Sequence, residues 1–251
     1  LDMSLTKVDC VIAESPLPHD PGELFSVLNP IARPGCIVAG FVKAISHTVS
    51  GQIASRLALE HYLDSTSQFL TQKRTALLSG ERDTIILEAL ERAFREANRS
   101  VYDFGHKLAA GGRMGASLLG LILYDSFIAV GKSDIGSVYI VRSGEVVPFF
   151  VEESNLDGNT SLTRNLVGAN SLVNIELSSL PLEPNDQVIA FARTVLPKEE
   201  AKLVDCVRAG FLDSTSAMKF LSSQVFSANV ETPATVIINL GPEGIYLEEA
   251  V

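Results

Sequence analysis

The sequence has no tryptophan and only three cysteines, Cys10, Cys36 and Cys206. Three scattered thiols cannot build a disulfide framework, and no Cys-x-x-Cys or Cys/His spacing suggests zinc. The odd count fits buried thiols in a reducing compartment. Long apolar runs are missing as well. The longest, Ala116 to Tyr124, has the length of a strand and falls far short of the roughly 20 residues that span a bilayer. The opening stretch LDMSLTKVDC lacks the layout of a signal peptide, so the expected compartment is the cytoplasm. Runs of Lys and Arg are absent too. With 20 Lys and Arg against 30 Asp and Glu, the formal net charge is −10. That balance disfavours nucleic acid and anionic membrane as partners, because both are polyanions. A protein partner is the remaining expectation.

What is present is apolar mass: 46% of the 251 residues are hydrophobic, ample for a core within one domain spanning 1–251. No internal repeat, low-complexity tract or linker divides the chain. Apolar positions at helical spacing predict a helix from about Ser50 to Leu63, through Ile53, Ala54, Leu57 and Ala58. A second helix is predicted from about Thr84 to Leu108, capped by Asp83, with a broad stripe through Ile86, Leu90, Phe94, Ala97 and Val101. The period then changes. ASLLGLILY (116–124), FIAVG (127–131), SVYIVR (137–142) and EVVPFFV (145–151) predict consecutive antiparallel strands joined by tight turns. LVNIEL (172–177) and QVIAFA (187–192) predict two more. Pro197 opens a helix that Gly210 can close. Asp213 can cap another, and TVIINL (235–240) and IYLEE (245–249) are late strands. Helix pairs separated by a strand meander exclude a doubly wound parallel sheet, which needs alternating β and α elements. The pattern suits an α+β fold, a four-layer α-β-β-α sandwich of two antiparallel sheets.

Five segments, in order, carry a family resemblance. FVKAISHTVSGQIASRLALEHYL (41–63) resembles V-A-D-G-M-G-G-H-x-x-G-E-x-A-S. RMGASLLGLIL (113–123) resembles an M-G-T-T strand. FIAVGKSDIGSVYIVRSGEV (127–146) resembles A-N-V-G-D-S-R-A-Y-L-x-R-x-G. Residues 165–200 resemble L-G…L-x-x-G-D-x-x-L-L-x-S-D-G-L, and ETPATVIINL (231–240) resembles a closing D-N-x-T-x-x-V. Together they are similar to the PPM family of metal-dependent Ser/Thr phosphatases, the 2C type. The resemblance implies the same sandwich fold. In active members it also implies two Mg²⁺ or Mn²⁺ ions on acidic side chains, with a metal-bound water attacking the phosphoester.

This sequence departs from that pattern at the acids. Anchored on Gly51, the first Asp-Gly falls on Lys43-Ala44 and the Gly-Gly-His on Ser46-His47-Thr48. Anchored on Asp186, the later Asp-Gly falls on Arg193-Thr194. Anchored on Thr235, the final Asp-Asn falls on Thr232-Pro233. Anchored on Tyr139, the Asp of G-D-S falls on Ile135, beside Asp134. An early acidic motif should lie near Cys10 to Ser15, where Glu14 matches. At ~4 Å and an effective dielectric near 20, two unit charges repel by about 4 kcal/mol, and a divalent ion feels roughly double that. Lys43 and Arg193 therefore imply that the ligands for Mn or Mg are lost. The expected protein is a pseudophosphatase, a regulatory protein-binding module in a signalling pathway, with no cofactor.

Two alternatives stay open: an active phosphatase with a displaced metal site on the remnant acids Glu14, Asp134 or Asp186, and a phosphate receptor using Lys43 and Arg193. Those two cations either grip an oxyanion or pair with Glu14, Asp134 or Asp186. His47 is a candidate anion contact or a solvated loop histidine, and Asp134 also suits a turn. The glycine-rich AAGGRMG (109–115) precedes a strand, which excludes a phosphate-binding loop of the helix-opening kind.

Overall fold

A computed structural model describes residues 7–11, 23–31, 35–78, 82–108, 114–150, 165–209, 225–226 and 233–241. In chain order the elements are β1 (Lys7–Val11), β2 (Glu23–Leu28), β3 (Cys36–Ala44), α1 (Val49–Gln72), α2 (Arg74–Leu78), α3 (Arg82–Lys107), β4 (Ala116–Tyr124), β5 (Phe127–Ser133), β6 (Ser137–Arg142), β7 (Glu145–Pro148), β8 (Glu176–Pro181), β9 (Gln187–Phe191), α4 (Pro197–Arg208) and β10 (Thr235–Asn239). They form two five-stranded sheets, sheet A in the order β1-β10-β9-β6-β7 and sheet B in the order β2-β3-β4-β5-β8. All pairings are antiparallel.

The two-residue period of each strand sorts side chains between layers. In β4, Leu119, Leu121 and Leu123 face sheet A across the sandwich, whereas Leu118 and Ile122 face α1 and α3. In β9, Val188 and Ala190 face sheet B, whereas Ile189 and Phe191 face α4 and Phe226. This is the expected α-β-β-α sandwich. Both cysteines whose side chains are described, Cys36 and Cys206, are buried free thiols. Burial pushes the Cys36 thiol up to about 12, so it stays protonated. No helix among the described residues is long and apolar enough to cross a membrane.

A row of glycines sets the distance between sheet B and its helices. Gly40, Gly120 and Gly131 lie side by side on β3, β4 and β5. A Cβ on Gly120 would stand 2.6 Å from the Tyr62 ring, and one on Gly131 would stand 2.9 Å from Phe94. The two rings pack edge to face at 5.7 Å. The Tyr62 hydroxyl donates to the Ala39 carbonyl at 3.2 Å and, more weakly, points at that of Leu121 at 3.4 Å.

Several sequence expectations need correction. The first helix runs on past Leu63 to Gln72, because the hydroxyls of Thr66 and Thr71 donate back to Tyr62 and Ser67 carbonyls at 2.7 Å and so are satisfied inside the helix. Asp83 lies in the first turn of α3 rather than at its cap. The meander is not continuous. β5 stays in sheet B and β6 joins sheet A, with Asp134 (φ 75°) and Gly136 (φ 132°) turning the chain across. The strand expected at 172–177 is displaced to Glu176–Pro181. Its intended start is held elsewhere, since the Asn98 amide donates to the carbonyls of Asn170 and Ser171 at 3.1 Å and Leu172 is exposed. β1 and β2 are strands that no sequence expectation covers. The helix after Asp213 and the strand at 245–249 lie outside the described residues.

Candidate functional site

Strand parity and register bring one cluster together at an end of the sandwich. Glu23 pairs across the backbone with Lys43, and Lys43 with Ser117. All three share the face that carries Phe25, Phe41 and Leu119 into the inter-sheet layer. The Lys43 ammonium lies 3.3 Å from Glu23 Oε2. Glu23 Oε1 accepts the Ala234 backbone N–H at 2.9 Å, and Ala234 stands at the entry to β10 in the other sheet. One buried carboxylate therefore joins the two sheets and holds the lysine between them. Ser117 donates to the Lys43 carbonyl at 3.2 Å, fixing the same strand end.

The loop between Lys43 and α1 is tightly specified. Thr48 caps α1 by accepting the Gly51 N–H at 3.2 Å. A Cβ on Gly51 would stand 2.1 Å from the Ser46 carbonyl oxygen, so only glycine fits. Ala44 ends β3 opposite Ala116. His47 is exposed on the loop. Asp134 and Ile135 are half-buried in the β5–β6 crossing. Pro233 is buried just before β10, where its carbonyl accepts the Thr235 hydroxyl at 2.9 Å. Thr232 and Glu14 lie outside the described residues.

Arg193 follows β9 on the other face of sheet A. Its guanidinium grips Glu199 at both oxygens, at 2.9 and 2.7 Å, and lies 4.7 Å from the Phe226 ring centre. Glu199 also accepts the Leu196 N–H at 2.9 Å, closing the first turn of α4. Burial pushes the Glu199 carboxyl up, but the hydrogen bonds from Arg193 and Leu196 and the nearby positive charge outweigh it and hold it below the ordinary glutamate value. Lys43 and Arg193 thus share an end of the sandwich but are held by different glutamates on opposite faces of sheet A.

Asp186 is placed elsewhere. It precedes β9, while Arg193 follows it, a separation of roughly 20 Å at ~3.3 Å per strand residue. Its buried carboxylate takes two nitrogens of Arg142, the closer at 2.7 Å, and the Glu183 N–H at 2.7 Å. Among the described residues, no three His, Cys, Asp or Glu side chains converge in a way that could hold a metal ion. Sequence reasoning passed over Glu23 and Glu199. The second carried a signal, an acid at the third position of a helix opened by Pro197. The first did not, because β2 itself was not recognised.

No family model matches this sequence, and neither does any curated protein sequence. Solved structures do match. The chain is similar to the serine/threonine phosphatase of S. agalactiae, with a TM-score of 0.65, 15% identity, and coverage of 97% of this chain and 100% of that one. The fold is that of the PPM Ser/Thr phosphatases. The PPM fold is matched again by the catalytic domain of PstP in complex with two manganese ions, with a TM-score of 0.64, 11% identity, and coverage of 94% and 97%. PppA, a key regulatory component of T6SS in Pseudomonas aeruginosa, matches with a TM-score of 0.64, 13% identity, and coverage of 94% and 98%.

Proposed function

We propose that this chain is a catalytically inactive, single-domain member of the PPM architecture that acts by binding a protein partner in a signalling pathway of the cytoplasm. The observation that carries the proposal is the Lys43–Glu23 ion pair at 3.3 Å. In the register set by Gly51, Lys43 occupies the position of a metal-binding aspartate. Its ammonium already pairs with Glu23, a buried carboxylate at that end of sheet B. A divalent cation there would have to displace a fixed like charge, against several kcal/mol of repulsion. Among the described residues, the donors at that position, an ammonium and one glutamate, do not fit Mn²⁺ or Mg²⁺.

The alternatives have less support. Of the acids a displaced metal site could use, Glu14, Asp134 or Asp186, the last has its carboxylate committed to Arg142. A joint phosphate grip by Lys43 and Arg193 would require both cations to leave their glutamates and reach across sheet A. The net charge of −10 favours a protein over a polyanionic partner. A regulatory role is what PppA, of the same fold, is described as having.

Release of phosphate from p-nitrophenyl phosphate and from phosphopeptides, with Mn²⁺ in the millimolar range, tests the reading. The expected outcome is none above the metal-free blank. Turnover that requires Mn²⁺ and disappears in Asp134→Ala would overturn it in favour of a displaced metal site. Binding of phosphopeptide but not of its unphosphorylated form, lost in Lys43→Ala and Arg193→Ala, would overturn it in favour of a phosphate receptor.

A further inference from the structure

A second constellation lies two strands along sheet B from Lys43, on the same inter-sheet face. Lys132 points into the inter-sheet layer in line with Ile128 and Val130 on β5. Its side chain is only 9% exposed, and among the described residues the carboxylate within reach is that of Glu176, 3.4 Å away and itself 57% exposed. The ammonium lies 4.9 Å from the centre of the Phe150 ring. A cleft of about 290 Å³ opens onto it where β5 crosses into β6. Val138 lines the cleft on the inter-sheet side, while Tyr139, on the helix side, donates its hydroxyl to Glu200 of α4 at 2.9 Å. Val195 and Phe150 complete an apolar wall.

A buried ammonium paired with a half-exposed carboxylate is a poor device for stability, since an apolar side chain of the same volume is often as good or better. Lys132 stands in a row with Phe41 and Leu119, where an apolar residue would pack. Stability therefore gives no reason for a lysine there, whereas a cleft with a cation on one side and a carboxylate on the other gives one. We propose that this cleft binds a small organic carboxylate that carries a hydrogen-bond donor at its far end. The ligand's carboxylate meets Lys132, its body lies on Val138, Phe150 and Val195, and its donor reaches Glu200. At about 290 Å³ the cleft stands at the small end of ligand sites, which suits a small acid.

The probe 4-hydroxybenzoate has this size and layout. Saturation-transfer NMR and thermal shift on the full chain should show it binding, with the neutral 4-hydroxybenzamide and inorganic phosphate each about tenfold weaker or worse. Lys132→Met should abolish binding while leaving the melting temperature unchanged or raised. Glu176→Gln, a change at an exposed site, should keep the fold and tighten binding, because the ammonium is no longer shared. Equal binding of acid and amide, phosphate binding as tight as the hydroxybenzoate, or weaker binding in Glu176→Gln would overturn the proposal. So would retained binding in Lys132→Met, or no binding of the hydroxybenzoate at about 10 mM. These readouts do not depend on whether the chain hydrolyses phosphate.

Discussion

Glu23 is bonded on two sides, by an ammonium of its own sheet and a backbone N–H of the other. Removing one side leaves a buried carboxylate half satisfied, which costs about 1–3 kcal/mol. Lys43→Ala should lower the unfolding free energy by that amount. Glu23→Ala should cost more, because it also orphans the Ala234 N–H and frees the link between sheets. Urea melts of the two variants check the order, and equal values would show that the inter-sheet bond contributes little. Glu199 answers to pH. Its folded carboxyl titrates below the ordinary glutamate value, so the unfolded chain takes up its proton first as pH falls. The stability it contributes is present above the unfolded value of about 4.3 and is lost as pH drops through the folded value. Stability of the wild type should therefore fall more steeply below about pH 4 than that of Glu199→Gln. Parallel slopes in denaturant titrations across that window would refute the assignment. At this scale the sequence displayed two cations where the motif resemblance expects acids, but not their partners. Glu23 is 20 residues from Lys43 along the chain, and only the β2–β3 register makes them neighbours.

The helices over sheet B sit where the glycine row lets them. Tyr62 is held by its hydroxyl and flanked by Phe94, so it cannot retreat from a new side chain on Gly120. Gly120→Ala should destabilise by about 1–3 kcal/mol through overpacking. Adding Tyr62→Leu should recover part of the loss, because the ring that collides is gone. A double-mutant cycle by thermal or chemical melting measures the coupling, and strict additivity would place the strain elsewhere. Periodicity alone revealed α3, β4, β6, β9 and α4, since their apolar stripes are long or sharply bounded. It failed where polar residues continue an element, as in the second half of α1. It also failed where a side chain from afar captures the backbone, as Asn98 does before β8. The β5–β6 step reads as a tight hairpin in sequence, yet it is the point where the chain changes sheets.

For the whole molecule, the described residues place at one end of the two sheets a charged cluster of paired groups, Lys43 with Glu23 and Arg193 with Glu199. Millimolar Mn²⁺ should therefore not raise the melting temperature, since a ligand stabilises only in proportion to its binding of the folded state. A rise of several degrees that saturates with Mn²⁺ would contradict the proposed inactivity. The sequence by itself determined the layer architecture, because hydrophobic period and element order leave few ways to bury the apolar faces. It also set cations, Lys43 and Arg193, where the motif resemblance anchored on Gly51 and Asp186 expects acids. Only the tertiary structure decided what those cations do. Alternation sends Lys43 between the sheets and Arg193 under α4, and strand pairing across both sheets supplies the glutamates that hold them. Such pairings join residues far apart in the chain, and no local pattern encodes them.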